Sequence, residues 1–196
     1  MKKIAFFDFD GTITKKDTLL EFIKFSKGFF SFYTGFLLNS PYLIAYKLKI
    51  ISNQSAKEKI LSFFFGNMSL QKFQGLCDRF IEQKLPSLIR PAALEEIEKL
   101  KQTGFALVIV SASAQNWIRG WADLKQLKLI ATRLEIVDGR VTGKILGYNC
   151  HGKEKVRRIH EEYDLAGFSE VYAYGDDKSD KFMFQLATTC HFKPFR

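Results

Sequence analysis

Ile4-Ala5-Phe6-Phe7-Asp8-Phe9-Asp10-Gly11-Thr12 places four apolar residues directly before two acids and a glycine. A continuous apolar run that ends in a polar loop is the pattern of a strand buried on both faces, as in a parallel sheet. Two later stretches repeat it. The apolar run over residues 105–110 ends in Ser111-Ala112-Ser113, and Val171-Tyr172-Ala173-Tyr174 ends in Gly175-Asp176-Asp177. Helical segments are expected between them: residues 91–102, opened by Pro91 and closed by Gly104, then 115–127, 153–163 and 179–186. Residues 134–146 alternate around Asp138-Gly139, a hairpin turn signal. Strands alternating with helices predict an α/β fold, a Rossmann-like doubly wound parallel sheet with helices on both faces. In such a sheet the carboxyl ends of the strands form the ligand crevice, so the three polar clusters are expected to meet there.

The block over residues 18–85 has a different rhythm. Leu19-Leu20-Phe22-Ile23 and Ile60-Leu61-Phe64 recur at helical spacing, and Ser69 is a candidate cap for a helix through Phe73, Leu76, Phe80 and Ile81. No strand alternation is visible there. The reading is an α-helical cap domain over residues 17–86, inserted into an α/β core made of residues 1–16 and 87–196. Within it, residues 28–46 carry no charge, a length that approaches a membrane span. Asn39-Ser40-Pro41 interrupts the stretch, which predicts two short helices with a turn there, forming a buried or partner-facing surface.

Asp8, Asp10 and Asp176 would crowd negative charge into one crevice, which costs several kcal/mol or raises a pKa unless a cation compensates. An all-oxygen donor set favours magnesium over zinc. Beside Mg2+, Asp8 can attack a phosphate monoester as a nucleophile and form an aspartyl phosphate. Asp10 can protonate the leaving oxygen and later take a proton from water. Ser111 and a lysine would hold the phosphate oxygens. The net charge of +9 favours anionic partners. No zinc-finger or RNP motif is present, so nucleic acid is not expected. Cys77, Cys150 and Cys190 stand far apart, which reads as three small core residues in a reducing cytosol. Trp117 and Trp121, one helical turn apart, read as core. His151, His160 and His191 show no metal spacing, with His151 placed at the crevice rim. Asp8 and Asp10 interrupt what would be the apolar part of a signal peptide, so a cytoplasmic location is expected.

Asp8-Phe9-Asp10-Gly11-Thr12, Val110-Ser111 and Gly175-Asp176-Asp177-Lys178-Ser179-Asp180 resemble motifs I, II and IV of the haloacid dehalogenase (HAD) superfamily, in the same order and spacing. The resemblance covers nearly the whole chain. The helical insertion resembles the cap of its phosphoserine-phosphatase-like subfamily. Ser111-Ala112-Ser113 and residues 152–158 resemble a bacterial branch in which phosphatidylglycerophosphate phosphatases also occur. The resemblance implies an Mg2+-dependent phosphomonoester hydrolase. It also implies that the Asp10 carbonyl joins Asp8 and Asp176 on the metal, with Asp180 in support; Asp177 is either a metal contact or an exposed loop acid. Gly11, Thr12 and Ala112 belong to the implied phosphate cradle. Motif III is a lysine, for which Lys155 and Lys153 compete. Asp17 stands where phosphoserine phosphatases hold the substrate amine, or else only caps a helix, and Lys59 falls near their carboxylate-gripping arginine. Lysine lacks that bidentate fork, and Ala112 replaces a glycine, so serine specificity is not implied. Alternatives are a phosphotransferase, or a lipid-phosphate phosphatase whose cap, flanked by Lys24, Lys27, Lys47 and Lys49, rests on an anionic membrane face. A non-catalytic binding module is disfavoured by the pair Asp8 and Asp10.

Overall fold

A computed structural model describes residues 2–196. β1 (Lys2–Phe7) leads through an irregular turn into α1 (Thr18–Lys27), α2 (Phe29–Leu38), α3 (Ser40–Lys47) and α4 (Asn53–Phe65). The two-residue β2 (Met68–Ser69) precedes α5 (Leu70–Gln83) and the single turn α6 (Leu85–Leu88). The α/β part continues with α7 (Pro91–Gln102), β3 (Phe105–Ala114), α8 (Arg119–Leu124), β4 (Lys128–Thr132) and the hairpin β5 (Leu134–Val137) and β6 (Arg140–Ile145). It closes with α9 (Lys153–Glu162), β7 (Phe168–Gly175), α10 (Lys181–Phe184) and β8 (Thr189–Phe192).

β1, β3, β4, β7 and β8 form one parallel sheet in the order β4-β3-β1-β7-β8. From β1 the chain winds first one way, through β3 and β4, and then the other, through β7 and β8. β1 is therefore the switch point where a crevice opens. Its apolar run serves two cores, because successive strand side chains point to opposite faces. Ile4 and Phe6 join Val108, Val110 and Val171 under α9 and α10. Ala5 and Phe7 join Leu107, Ile109 and the α7 residues Ala93 and Ile97.

The second of these cores runs on without a break into the helical insertion. Phe22 of α1 is fully buried and stacks on Trp117, with ring centroids 5.1 Å apart. It also meets Phe65 at 5.2 Å, Phe80 at 5.4 Å and Phe73 at 5.7 Å. Pairs of this kind each contribute about 0.5–1.5 kcal/mol beyond simple area burial. Asp17, Ser52 and Ser69 cap α1, α4 and α5 by accepting backbone N–H bonds, as their residue types favour.

Several sequence expectations change. The insertion is not purely helical: β2 pairs antiparallel with β6, so the insertion is tied to the β5–β6 hairpin. The helix expected over residues 115–127 is a 3-10 turn followed by the short α8, which stops before Gln126, a residue at φ 53°. The segment expected as a helix over 179–186 is a 3-10 turn plus α10. Cys77 and Cys150 are buried, but Cys190 is exposed. Residues 28–46 do form two helices with the turn at Asn39, but their outer face is exposed rather than buried. No helix among the described residues is long and apolar enough to cross a membrane.

Candidate active site

Asp8 sits one residue past β1. Its N–H donates to the Tyr174 carbonyl at 2.8 Å, which extends the parallel ladder and fixes the residue at the strand's carboxyl end. α9 brings in Lys155 from the opposite side. The buried Lys155 Nζ donates to Asp8 Oδ1 at 2.6 Å and to Asp180 Oδ1 at 2.7 Å. Asp180, itself buried, also accepts the N–H groups of Asp176 and Asp177 at 3.2 Å, so its place is fully determined. Burial pushes the Asp8 carboxyl up to about 7, with the Lys155 ammonium opposing. Burial alone would lower Lys155, but Asp8 and Asp180 together hold it well above the ordinary lysine value.

Asp10 faces another way. Its Oδ1 accepts the Thr18 N–H at 2.6 Å and its Oδ2 accepts the Ser113 hydroxyl at 2.6 Å. Ser113 Oγ lies 3.1 Å from Thr18 Oγ1, and Thr18 Oγ1 accepts the Trp117 indole N–H at 3.1 Å. With the one Ser113 proton given to the Asp10 carboxylate, Thr18 must be the donor to Ser113, so donation runs one way, from Trp117 to Thr18 to Ser113 to Asp10. No sequence motif singles out Ser113 for this contact. Its signal is its place in the polar cluster Ser111-Ala112-Ser113 at the carboxyl end of β3, where a crevice is expected. Ser113→Ala should release one Asp10 oxygen and lower kcat about 10- to 100-fold with KM little changed. Ser113→Thr should restore most of the loss, which steady-state kinetics would show.

The other expected residues divide. The carboxylate oxygens of Asp8, Asp176 and Asp180 lie within 4.8 Å of one another, whereas the Asp10 side chain is outside this group. Thr12 Oγ1 donates to Asp8 Oδ2 at 3.3 Å. Gly11 has φ 81°, and a Cβ there would lie 2.5 Å from Asp176 Oδ2, so glycine permits the approach of the two loops. Ser111 is fully buried, and its Oγ accepts the Ser113 N–H at 3.0 Å. Asp177 caps the 3-10 turn that carries Asp180. Arg196 Nη2 reaches Asp176 Oδ2 at 2.5 Å. Lys153 lies apart from the acids, its Nζ over the Phe182 ring at 5.7 Å. Lys59 is also elsewhere, over Tyr42 at 5.2 Å.

Lys57 takes the place expected for Lys59. Its Nζ donates to the Ala112 carbonyl at 2.9 Å and to Asn149 Oδ1 at 3.2 Å. Burial pulls its ammonium below the ordinary lysine value, with Asp17 and Asp10 opposing. Asp17 both caps α1 and lines the pocket, and its carboxyl is pushed up to about 6 by burial and then by Asp10. It retains exposed surface, so water screens part of that push. The pocket is open, about 270 Å³, and is also walled by Leu19, Tyr46, Asn53 and His151. Six carboxylates line it against two lysines, Lys57 and Lys155. A hard dication with oxygen ligands fits this excess and the Asp8, Asp176, Asp180 cluster.

The family model for the haloacid dehalogenase-like hydrolases matches residues 5–185. The chain belongs to that family. It is thus a hydrolase, and the fold expected from its three motifs is the fold observed. It is 34% identical over 195 residues to protein CicA of Caulobacter vibrioides, covering 97% of this chain and 85% of CicA. It is 27% identical over 184 residues to "Probable phosphatase Rv3661" of Mycobacterium tuberculosis, covering 90% of this chain and 63% of that protein. Its fold is also that of a substrate-bound phosphoserine phosphatase, with a TM-score of 0.70 at 19% identity over 97% of this chain and 85% of the other.

Proposed function

We propose that this HAD-family hydrolase is a phosphatase that cleaves a soluble phosphate monoester through an aspartyl phosphate on Asp8. The observation that carries the reading is the division of labour among the acids. Asp8 is buried and paired with Lys155, beside Asp176 and Asp180, while Asp10 is turned away and held by Thr18 and Ser113. The similarity to a protein named as a probable phosphatase supports it.

In this reading an Asp8 carboxylate oxygen attacks phosphorus and the bond to the leaving oxygen breaks. Asp10 gives that oxygen its proton. Water then attacks the phosphorus of the aspartyl phosphate, Asp10 takes its proton, and inorganic phosphate leaves as Asp8 is regenerated. Lys155 offsets phosphate charge, with Ser111, Gly11, Thr12 and Ala112 around it. Asp8 and Asp176, with the Asp10 carbonyl and Asp180 in support, would hold Mg2+. When bound, the ion would offset the charge that otherwise repels a phosphate from these acids. Residues 17–86 would act as the cap over a core of 1–16 and 87–196, with Asp17 and Lys57 contacting the part of the substrate beyond the phosphate.

Trapping the intermediate tests the reading. With an aryl phosphate and Mg2+, Asp10→Asn is expected to turn over about 100-fold more slowly than wild type and to accumulate phosphoenzyme, seen as an added phosphate by intact-protein mass spectrometry. Chelation of metal should remove both the turnover and the adduct. Hydrolysis of alkyl phosphates by Asp10→Asn at the wild-type rate would exclude Asp10 as the acid and base.

A further inference from the structure

α2 carries no charged residue and α3 only Lys47 in its last turn, so both are richer in apolar side chains than one covered side requires. Only one side is covered here. Phe32, Phe36 and Leu43 pack inward on the core, and Gly35 lets α2 close on Phe64, whose ring occupies the space a Cβ would need. The outer side is bare: Phe30 is 83% exposed, Leu37 72%, Leu38 67%, Leu48 66% and Ile50 71%. So many large apolar side chains left exposed on one short stretch mark an interaction site.

The charge around it selects the partner. Residues 22–57 contain no Asp or Glu but carry Lys24, Lys27, Lys47, Lys49 and Lys57. Lys24, Lys47 and Lys49 are exposed at the edges of the bare face. A second copy of this chain would set these lysines against its own, like charge against like. A surface that offers acyl chains beneath a layer of anionic headgroups satisfies both features, with Phe and Tyr rings at the boundary and the lysines on the phosphates.

We infer that the α2–α3 hairpin, with the link through Ile50, is a docking surface for an anionic lipid bilayer. Tyr46 of α3 also lines the pocket. Docking by this face therefore puts the pocket mouth beside the headgroups. The inference concerns binding alone and stands or falls without reference to the hydrolytic reading.

Co-sedimentation of the whole chain with phosphatidylcholine vesicles, with and without phosphatidylserine, tests it. The chain should pellet with the anionic vesicles at low salt, less so at moderate salt, and not with the neutral ones. Lys47→Gln with Lys49→Gln should weaken the partitioning about thirtyfold. Phe30→Ser with Leu37→Ser should abolish it while leaving the far-UV circular dichroism unchanged, since both side chains face solvent. Three results would overturn the inference: no pelleting with anionic vesicles at low salt, pelleting unaffected by the serine pair, or a dimer in solution that the serine pair dissolves.

Discussion

Asp8→Asn is expected to lower turnover by at least about 10⁴-fold, because an amide cannot replace the carboxylate proposed to attack phosphorus. The fold should survive. Asparagine keeps the volume of Asp8, and Lys155 retains its second partner, Asp180, at 2.7 Å. The variant also gives up little stability, since burial is the largest influence on Asp8 and acts against its charged form. A carboxyl raised from 3.8 to about 7 contributes stability fully present below about pH 4 and lost as the pH rises through about 7. In metal-free protein held in chelator, Asp8→Asn should therefore gain on wild type between pH 5 and pH 8, a window chosen to span that titration. Kinetics and thermal melts at the two pH values check both parts. Normal turnover by a folded Asp8→Asn protein would remove Asp8 from the chemistry.

Lys155→Met is expected to damage both stability and rate. It strips the cation from between Asp8 and Asp180, both buried. Removing one partner of a buried ion pair costs about 3–5 kcal/mol, because the remaining charge has neither water nor a counter-ion. For a chain of this size that lowers Tm by about 10 °C. Turnover should fall about 10³-fold as well, since the proposed reaction sets this fixed cation beside the phosphate oxygens, where charge develops. Adding Asp180→Asn separates the two effects. It removes one of the stranded carboxylates, so the double variant should recover much of the Tm while staying inactive. Recovery of activity along with stability would make Lys155 a structural residue only.

The strands that carry the site were legible because their apolar runs are long and stop at acids. β4 and β8 were not. Leu124, Leu127 and Ile130 keep a helical spacing across the start of β4, and only the positive φ at Gln126 ends the helix in time. β8, over Thr189–Phe192, is a short edge strand with two polar residues, so it has little apolar signal to read. The β5–β6 turn was plain, since Asp138 and Gly139 both take positive φ, as their residue types allow. At the site, Asp8, Asp10 and Asp176 announced themselves by position. Lys57 and Lys59 lie two residues apart on α4, which turns them to nearly opposite sides of the helix. Lys57 is three and four residues before the buried Ile60 and Leu61, so the apolar face of α4 already pointed to it. Ser113 acts on an acid 103 residues away, a relation that no local pattern contains.

The Phe22–Trp117 stack bears on how this enzyme could be retuned. Segments that swing as separate bodies usually meet their scaffold across a thin, rather polar seam. Here the inner wall of the helical insertion and the α/β part share one continuous apolar core, joined at the Phe22–Trp117 stack, and the same Trp117 also starts the hydrogen-bond line to Asp10. The insertion is therefore a poor cassette. Grafting another protein's in its place would remove Phe22, Phe73 and Phe80 from around Trp117 and disturb the seating of Asp10, the proposed acid and base. On the proposed reading, the practical handles for changing what is accepted are the pocket-lining side chains Tyr46, Asn53 and Lys57, none of which belongs to that wall.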